Sequence, residues 1–244
     1  MKVLVLGGTG EGRALAHLLA DTSHDVTVSL AGATRQPKPL PGRTRIGGFG
    51  GDAGFAQWLQ DAETDAVIDA THPFASRVSD RSVRVARDLA IPYLQVLRPA
   101  WQPNDADIWH RIADETQAAD LIPQGATVFL ATGRQTLMQF ANLENRRIYC
   151  RQIDPPDTPF PFSDGAFMVG RPPFSVAEEI NLFDRLKIDW LVVKNAGGAA
   201  SRTKLDAAAQ LGLPVAMIDR PPQPDCDRVT TPEEAMAWLK GLRP

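Results

Sequence analysis

Met1-Lys-Val-Leu-Val-Leu-Gly-Gly-Thr-Gly-Glu-Gly-Arg13 opens the chain, and the fold follows from how this stretch is read. Residues 2–6 are apolar and valine-rich, the pattern of a short strand buried on both faces of a parallel sheet. Gly7, Gly8, Gly10 and Gly12 follow, where the backbone can turn tightly and approach a ligand with no Cβ in the way. From Glu11 onward, Leu15, Leu18 and Leu19 repeat at helical spacing. A strand, a glycine loop and a helix in that order aim free N–H groups and the positive end of a helix dipole at a phosphate. The expected ligand is a nucleotide held through its pyrophosphate by Gly7, Gly8, Thr9, Gly10, Glu11, Gly12 and Arg13.

The loop departs from the dinucleotide fingerprint G-x-G-x-x-G. Counted from Gly8, the second glycine is Gly10, but Arg13 stands where the third belongs. The second strand, residues 25–30, leads into Ala31-Gly-Ala-Thr-Arg35 and lacks the acid that would hold a ribose 2′-hydroxyl. An arginine there accommodates a 2′-phosphate instead. Arg35 therefore turns the expectation from NADH toward NADPH. A glycine turn without a ligand and a solvated Arg35 are the plainer alternatives.

At 244 residues the chain can hold one large α/β domain or two smaller ones. A formal net charge of −3 with no basic block gives no electrostatic reason to expect nucleic acid. Cys150 and Cys226 lie far apart, without metal-ligand neighbours, and read as reduced thiols. His17, His24, His72 and His110 show no metal-motif spacing, so no metal is expected. The chain starts on its first core strand, not on a signal peptide, and no apolar run reaches membrane-spanning length. The expectation is a cytoplasmic protein with no membrane association.

Strand and helix patterns alternate throughout, which predicts parallel sheets built from βαβ units. Strands are expected at 2–6, 25–30, 44–49, 65–70 and 91–97. Helices are expected from Glu11, over 55–59 with Asp52 as N-cap, and over 76–90. Arg98-Pro-Ala-Trp-Gln-Pro103 breaks the periodicity and marks a boundary. Beyond it, strands are expected at 107–112, 126–131, 146–151, 167–170, 190–194 and 215–218, with helices at 135–142, 176–186, 199–211 and 231–242. The predicted architecture is α/β: two doubly wound, Rossmann-like domains, 1–98 and 99–244, with an inter-domain cleft.

Such sheets bind ligands beyond the carboxyl ends of their strands. Asp69-Ala-Thr-His-Pro-Phe-Ala75 sits at such an end, and Pro73 forces an extended residue before it. The turn presents Thr71 and His72, and His72 could hold a cofactor, orient a substrate or deliver a proton. Packing against its own turn is the plainer role. In the second half, Ala131-Thr-Gly-Arg134 and Lys194-Asn-Ala-Gly-Gly198, the latter followed by Ser201-Arg-Thr-Lys204, combine glycines, hydroxyls and cations at helix starts. That is anion-binding chemistry. Thr132, Gly133, Arg134, Lys194, Asn195, Gly197, Gly198 and Lys204 are thus expected on a second, carboxylate-binding side. There is no nucleophile elbow and no paired carboxylate, so a carried cofactor would supply the chemistry.

Taken in order, these motifs closely resemble the precorrin-6A reductase family of cobalamin (vitamin B12) biosynthesis over nearly the full length. The carriers also include Leu97-Arg-Pro-Ala-Trp101, Gly170-Arg-Pro-Pro-Phe174 and Ile218-Asp-Arg-Pro221. The family more often has Ser where this chain has Ala196, which removes one hydroxyl. The resemblance implies an oxidoreductase that uses a reduced nicotinamide cofactor to convert precorrin-6A to precorrin-6B, a tetrapyrrole fringed with carboxylates. His72 then orients ligands more than it catalyses, and contacts with neighbouring pathway enzymes would be transient. Two other readings stay open: a cobalt-containing substrate of the anaerobic route, reduced with NADH or NADPH, and a nucleotide- or tetrapyrrole-binding module without turnover.

Overall fold

The structure, a computed structural model, describes residues 1–32 and 39–242. In chain order the strands are β1 (Lys2–Leu6), β2 (Asp25–Leu30), β3 (Arg43–Ile46), β4 (Ala66–Asp69), β5 (Tyr93–Val96) and β6 (Trp109–Ile112). They continue as β7 (Thr127–Leu130), β8 (Arg147–Gln152), β9 (Gly165–Val169), β10 (Trp190–Lys194), β11 (Val215–Ile218) and β12 (Asp227–Val229). The helices are α1 (Gly10–Ala20), α2 (Gly51–Asp61), α3 (Ser76–Asp88), α4 (Ala118–Leu121), α5 (Val176–Leu186), α6 (Thr203–Leu211) and α7 (Pro232–Gly241).

The chain forms two units, Met1–Pro99 with Pro221–Pro244, and Ala100–Arg220. The first unit's sheet runs β12-β5-β4-β1-β2-β3 and every pairing is parallel. One face buries Val3, Val5, Val26, Val28 and Ile68 against Leu15 and Leu19 of α1 and Ala235 and Leu239 of α7. The other buries Leu4, Leu6 and Val67 against Phe55 and Leu59 of α2 and Val85 of α3. With both faces covered, the strands can be continuously apolar, as the first one is. The chain runs outward from β1 through β2 to β3, then returns to the far side of β1 as β4. The strand order therefore reverses between β1 and β4, and the crevice at their carboxyl ends is where such a sheet takes a ligand.

The second unit repeats the plan. Its sheet runs β6-β11-β10-β7-β8-β9, again all parallel, and reverses between β7 and β10. Phe129, Leu191, Val193, Val215 and Met217 pack with Phe183 of α5 and Leu205, Ala207 and Ala208 of α6.

The two-sheet α/β architecture is as the alternating pattern predicts. The second domain expected over 99–244 is not continuous, because residues 221–244 return to the first unit. There β12 pairs with β5 (Asp227↔Leu94) and α7 packs in the core beside α1. Asp52 is not the cap of α2: Gly50, at φ +81°, holds that position and Asp52 is ion-paired with Arg84 in the first turn. Residues 134–140 form a 3-10 helix where an α-helix was expected, and 199–201 form a short 3-10 turn ahead of α6. Among the described residues no helix is long and apolar enough to cross a membrane.

Candidate functional site

The first candidate site is the β1–β4 crevice. Gly7 N–H bonds the Ser29 carbonyl at 2.9 Å, which carries the sheet ladder to the end of β1. Gly8 then takes φ +123°, a left-handed conformation that favours glycine. Thr9 caps α1: its Oγ1 accepts Gly12 N–H at 3.1 Å and donates to the Ala70 carbonyl at 2.7 Å. A Cβ on Gly12 would stand 3.2 Å from Gly7 Cα and 3.4 Å from Ala70 Cβ. Gly12 is therefore the close-packing third glycine, one residue earlier than the count from Gly8 places it.

Among the described residues, the backbone N–H groups of Gly8, Thr9, Gly10 and Glu11 meet no acceptor. A Cβ at Gly8 or Gly10 would meet nothing within 4 Å. Four successive unpaired donors beside open space, at the positive end of an 11-residue helix, form a cradle for an anion. Glu11 does not repel that anion, since its carboxylate is ion-paired with Arg98 at 2.6 Å, both side chains being mostly buried. Arg13 reaches the Pro39 carbonyl at 3.2 Å. Arg35 lies outside the described residues.

The facing wall is the turn after β4. Asp69 is fully buried and accepts Thr71 N–H at 2.9 Å, the Ser79 hydroxyl at 2.5 Å and the Tyr93 hydroxyl at 2.6 Å. Burial, then the Asp69 charge, pushes the Tyr93 phenol well above its usual range, so it stays a donor. Three donors on one carboxylate fix where Thr71 and His72 stand. His72 is exposed and its Nδ1 accepts Phe74 N–H at 3.3 Å, so in the neutral ring Nε2 carries the proton.

The second candidate site lies at the β7–β10 reversal, where both motifs of the second half fall. After β7, Gly133 takes φ +75°, Arg134 is exposed, and the Thr132 Oγ1 is closed from solvent without a hydrogen-bond partner. After β10 the turn is braced from within. Lys194 Nζ lies 3.1 Å from Glu115 Oε1 and 3.1 Å from Thr136 Oγ1. Asn195 clasps the Trp101 backbone, accepting its N–H at 2.8 Å and donating to its carbonyl at 3.2 Å. Trp101 Nε1 bonds the Gly198 carbonyl at 2.9 Å, and Arg220 bonds the carbonyls of Asn195 at 2.7 Å and Ala196 at 2.9 Å. Gly197 and Gly198 supply the positive φ angles, +71° and +86°.

Lys204, in the first turn of α6, donates to the Ser201 carbonyl and sits 5.7 Å from the Trp101 ring centre. Burial pulls its ammonium down to about 8, with Arg151 adding to the effect and Glu179 opposing it. Asp69, Arg98, Trp101, Glu115 and Arg220 were not singled out from sequence. All but Glu115 stand inside motifs already quoted, so position gave a signal for four of them. Among the described residues no three His, Cys, Asp or Glu side chains gather to hold a metal.

Residues 2–240 match the protein family described as "Precorrin-6x reductase CbiJ/CobK". A precorrin-6A reductase of Rhodococcus erythropolis is 43% identical over 244 residues, covering 99% of this chain and 98% of the relative. One from Rhodobacter capsulatus is 41% identical, covering 98% and 95%. The solved structure "CobK precorrin-6A reductase" superposes with a TM-score of 0.94 at 40% identity, covering 98% of this chain and 96% of its own.

The two loop glycines make opposite predictions. Gly10→Val should leave thermal stability close to wild type, because its side chain enters open space, while nucleotide affinity collapses. Gly12→Val should lose stability, at about 1–3 kcal/mol for overpacking, since backbone cannot give way. Thermal melts with nucleotide titrations check this; intact nucleotide binding by folded Gly10→Val contradicts the cradle.

Proposed function

This chain belongs to the precorrin-6A reductase family, and from that premise we propose that it reduces precorrin-6A in cobalamin biosynthesis with NADPH as the hydride source. The observation that carries the reading is the row of four unpaired amides at the start of α1, set at a strand-order reversal. Those amides and the α1 dipole fit a pyrophosphate. When bound, the reduced nicotinamide supplies the hydride. The residues of the chain do the rest. The Asp69 network holds the Thr71–His72 turn, and His72 is placed there to orient a ligand. The reduction adds one hydride and one proton: a proton taken up from solvent would give the conjugated iminium, the hydride would neutralise it, and positioning would be the main contribution of the protein.

NADPH is favoured over NADH because no acid stands at the end of β2, where Ser29 and Leu30 lead into Ala31 and Gly32. Arg35 is a further candidate for its 2′-phosphate. On the tetrapyrrole side, Lys204 and Arg134 meet the carboxylates, while Thr132, Gly133, Gly197 and Gly198 offer hydroxyl and backbone contacts. Lys194 and Asn195 hold that turn in shape, since their polar atoms are already engaged. The relatives named above carry a metal-free substrate in their names, which favours precorrin-6A over its cobalt form. Free thiols at Cys150 and Cys226 suit the cytoplasm.

The test is one absorbance trace: NADPH should be oxidised in proportion to precorrin-6A added. Binding of both ligands without oxidation would make the protein a carrier, and reduction of only the cobalt form would reassign the substrate. In the same assay His72→Asn should keep turnover within about tenfold of wild type; a loss of about 10²–10⁴-fold would make it an acid.

Lys204 adds a pH test. Its charge is present below about 8 and lost above, so the KM for the tetrapyrrole should rise as pH passes through that value. Lys204→Gln should bind more weakly and lose this limb, and Lys204→Arg should restore binding without it. A Gln variant that keeps the limb would remove Lys204 from the substrate side.

A further inference from the structure

Arg45, on β3, is a half-buried cation that meets no carboxylate among the described residues. Its partner in the ladder is Ser29, the penultimate residue of β2. Its Nη1 donates to Ser29 Oγ at 2.9 Å and to the Gly47 carbonyl at 2.9 Å, and its Nη2 donates to the Gly48 carbonyl at 3.0 Å. The guanidinium carbon lies 3.7 Å from the centre of the Phe49 ring, so the plane is held from below as well as from its edges. Every one of these partners is neutral. Burial pulls the guanidinium pKa down, and no acid opposes it. The donors left over are Nε–H and one Nη2–H, the pair that forms a bidentate edge for phosphate.

A second observation points the same way. Arg81 of α3 lies 6.0 Å from the Phe49 ring centre and 5.3 Å from that of Phe55, and its Nε is buried without a partner. Elsewhere in this unit Arg43, Arg84 and Arg98 each sit on a carboxylate. Among the described residues neither guanidinium meets a carboxylate, so an anion placed beside this ring would gain from both. Their place is the carboxyl end of β2 and β3, next to the strand end that receives the adenosine ribose in this type of sheet.

We propose that Arg45 is the fixed, preorganised reader of the cofactor's 2′-phosphate, with Ser29, Gly47, Gly48 and Phe49 holding its guanidinium in place before the ligand arrives. Arg81 adds positive potential from the neighbouring helix. The inference rests on the nucleotide reading above and deepens it by naming the group that selects NADPH over NADH.

The probe is a pair of fragments that differ only in that phosphate, adenosine 2′,5′-bisphosphate and adenosine 5′-monophosphate, titrated calorimetrically into the full chain. Wild type should prefer the bisphosphate. Arg45→Met should lose about 10- to 100-fold in bisphosphate affinity, with the monophosphate unchanged within about twofold. Arg45→Lys keeps the point charge, the fold and the aliphatic stem but not the two-donor edge, so its selectivity should fall by about fivefold or more. It decides the matter if the Met variant does not fold. Equal losses for both fragments would make Arg45 a purely structural brace, and wild-type selectivity in the Lys variant would exclude it as the reader. A wild-type protein with no preference would sink the NADPH reading itself, which is a different result from either.

Discussion

Gly12 against Gly7 and Ala70 is the contact on which the proposed nucleotide site of this molecule depends. It brings the first turn of α1 so close to the ends of β1 and β4 that a Cβ at this position would stand only 3.2 Å from Gly7 Cα. Once that approach is made, Thr9 can reach both Gly12 N–H and the Ala70 carbonyl, tying the loop to the end of β4. The amides left over, Gly8 to Glu11, meet no acceptor among the described residues. They are costly to bury and cheap to expose, so a ligand that accepts from them gains affinity without any rearrangement. Arg98 completes the arrangement by taking up the Glu11 charge, which would otherwise oppose an anion at the helix start.

The second sheet repeats the plan, and we assign it a different chemistry. Both sheets reverse strand order beside a central strand that feeds a glycine turn, β1 in one and β7 in the other. In the first, the turn leaves its amides open. In the second, the turn after β10 spends its polar groups internally, on Trp101, Glu115, Thr136 and Arg220. A braced turn makes a poor cradle for a small dianion but a firm platform for residues around it, such as Lys204 and Arg134. The proposed substrate, a large macrocycle with several carboxylates, needs rigid, spaced cations more than one deep pocket. Each sheet also closes with an edge strand from a distant part of the sequence: β12 beside β5, and β6 beside β11.

Much of this was legible in the sequence. Buried parallel strands are short apolar runs, so β1, β10 and β11 could be bounded within a residue, and the turns after strand ends could be read as candidate sites. What escaped has physical reasons. Gly12 was misassigned because glycine spacing alone does not say which glycine meets backbone; only the approach to Gly7 and Ala70 does. Asp227-Arg-Val229 carries no apolar alternation, being a short edge strand with two exposed residues, so the return of the chain to the first unit left no local trace. Glu115 was invisible because its partner Lys194 is far along the chain, and such pairing follows from topology. Gly50 displaced Asp52 as the cap of α2 because φ +81° is a position for glycine, whatever the side-chain preference for capping.

The central claim is that the glycine loop of the first unit, and not the braced turn of the second, receives the cofactor. Amide hydrogen exchange with and without NADPH tests this most directly, since it reports on the N–H groups the account depends on. The amides of Gly8, Thr9, Gly10 and Glu11 should exchange rapidly in the free protein and slow markedly when NADPH is added, while those of residues 195–198 stay unchanged. Slowing confined to residues 195–198, with the first loop unaffected, would contradict it.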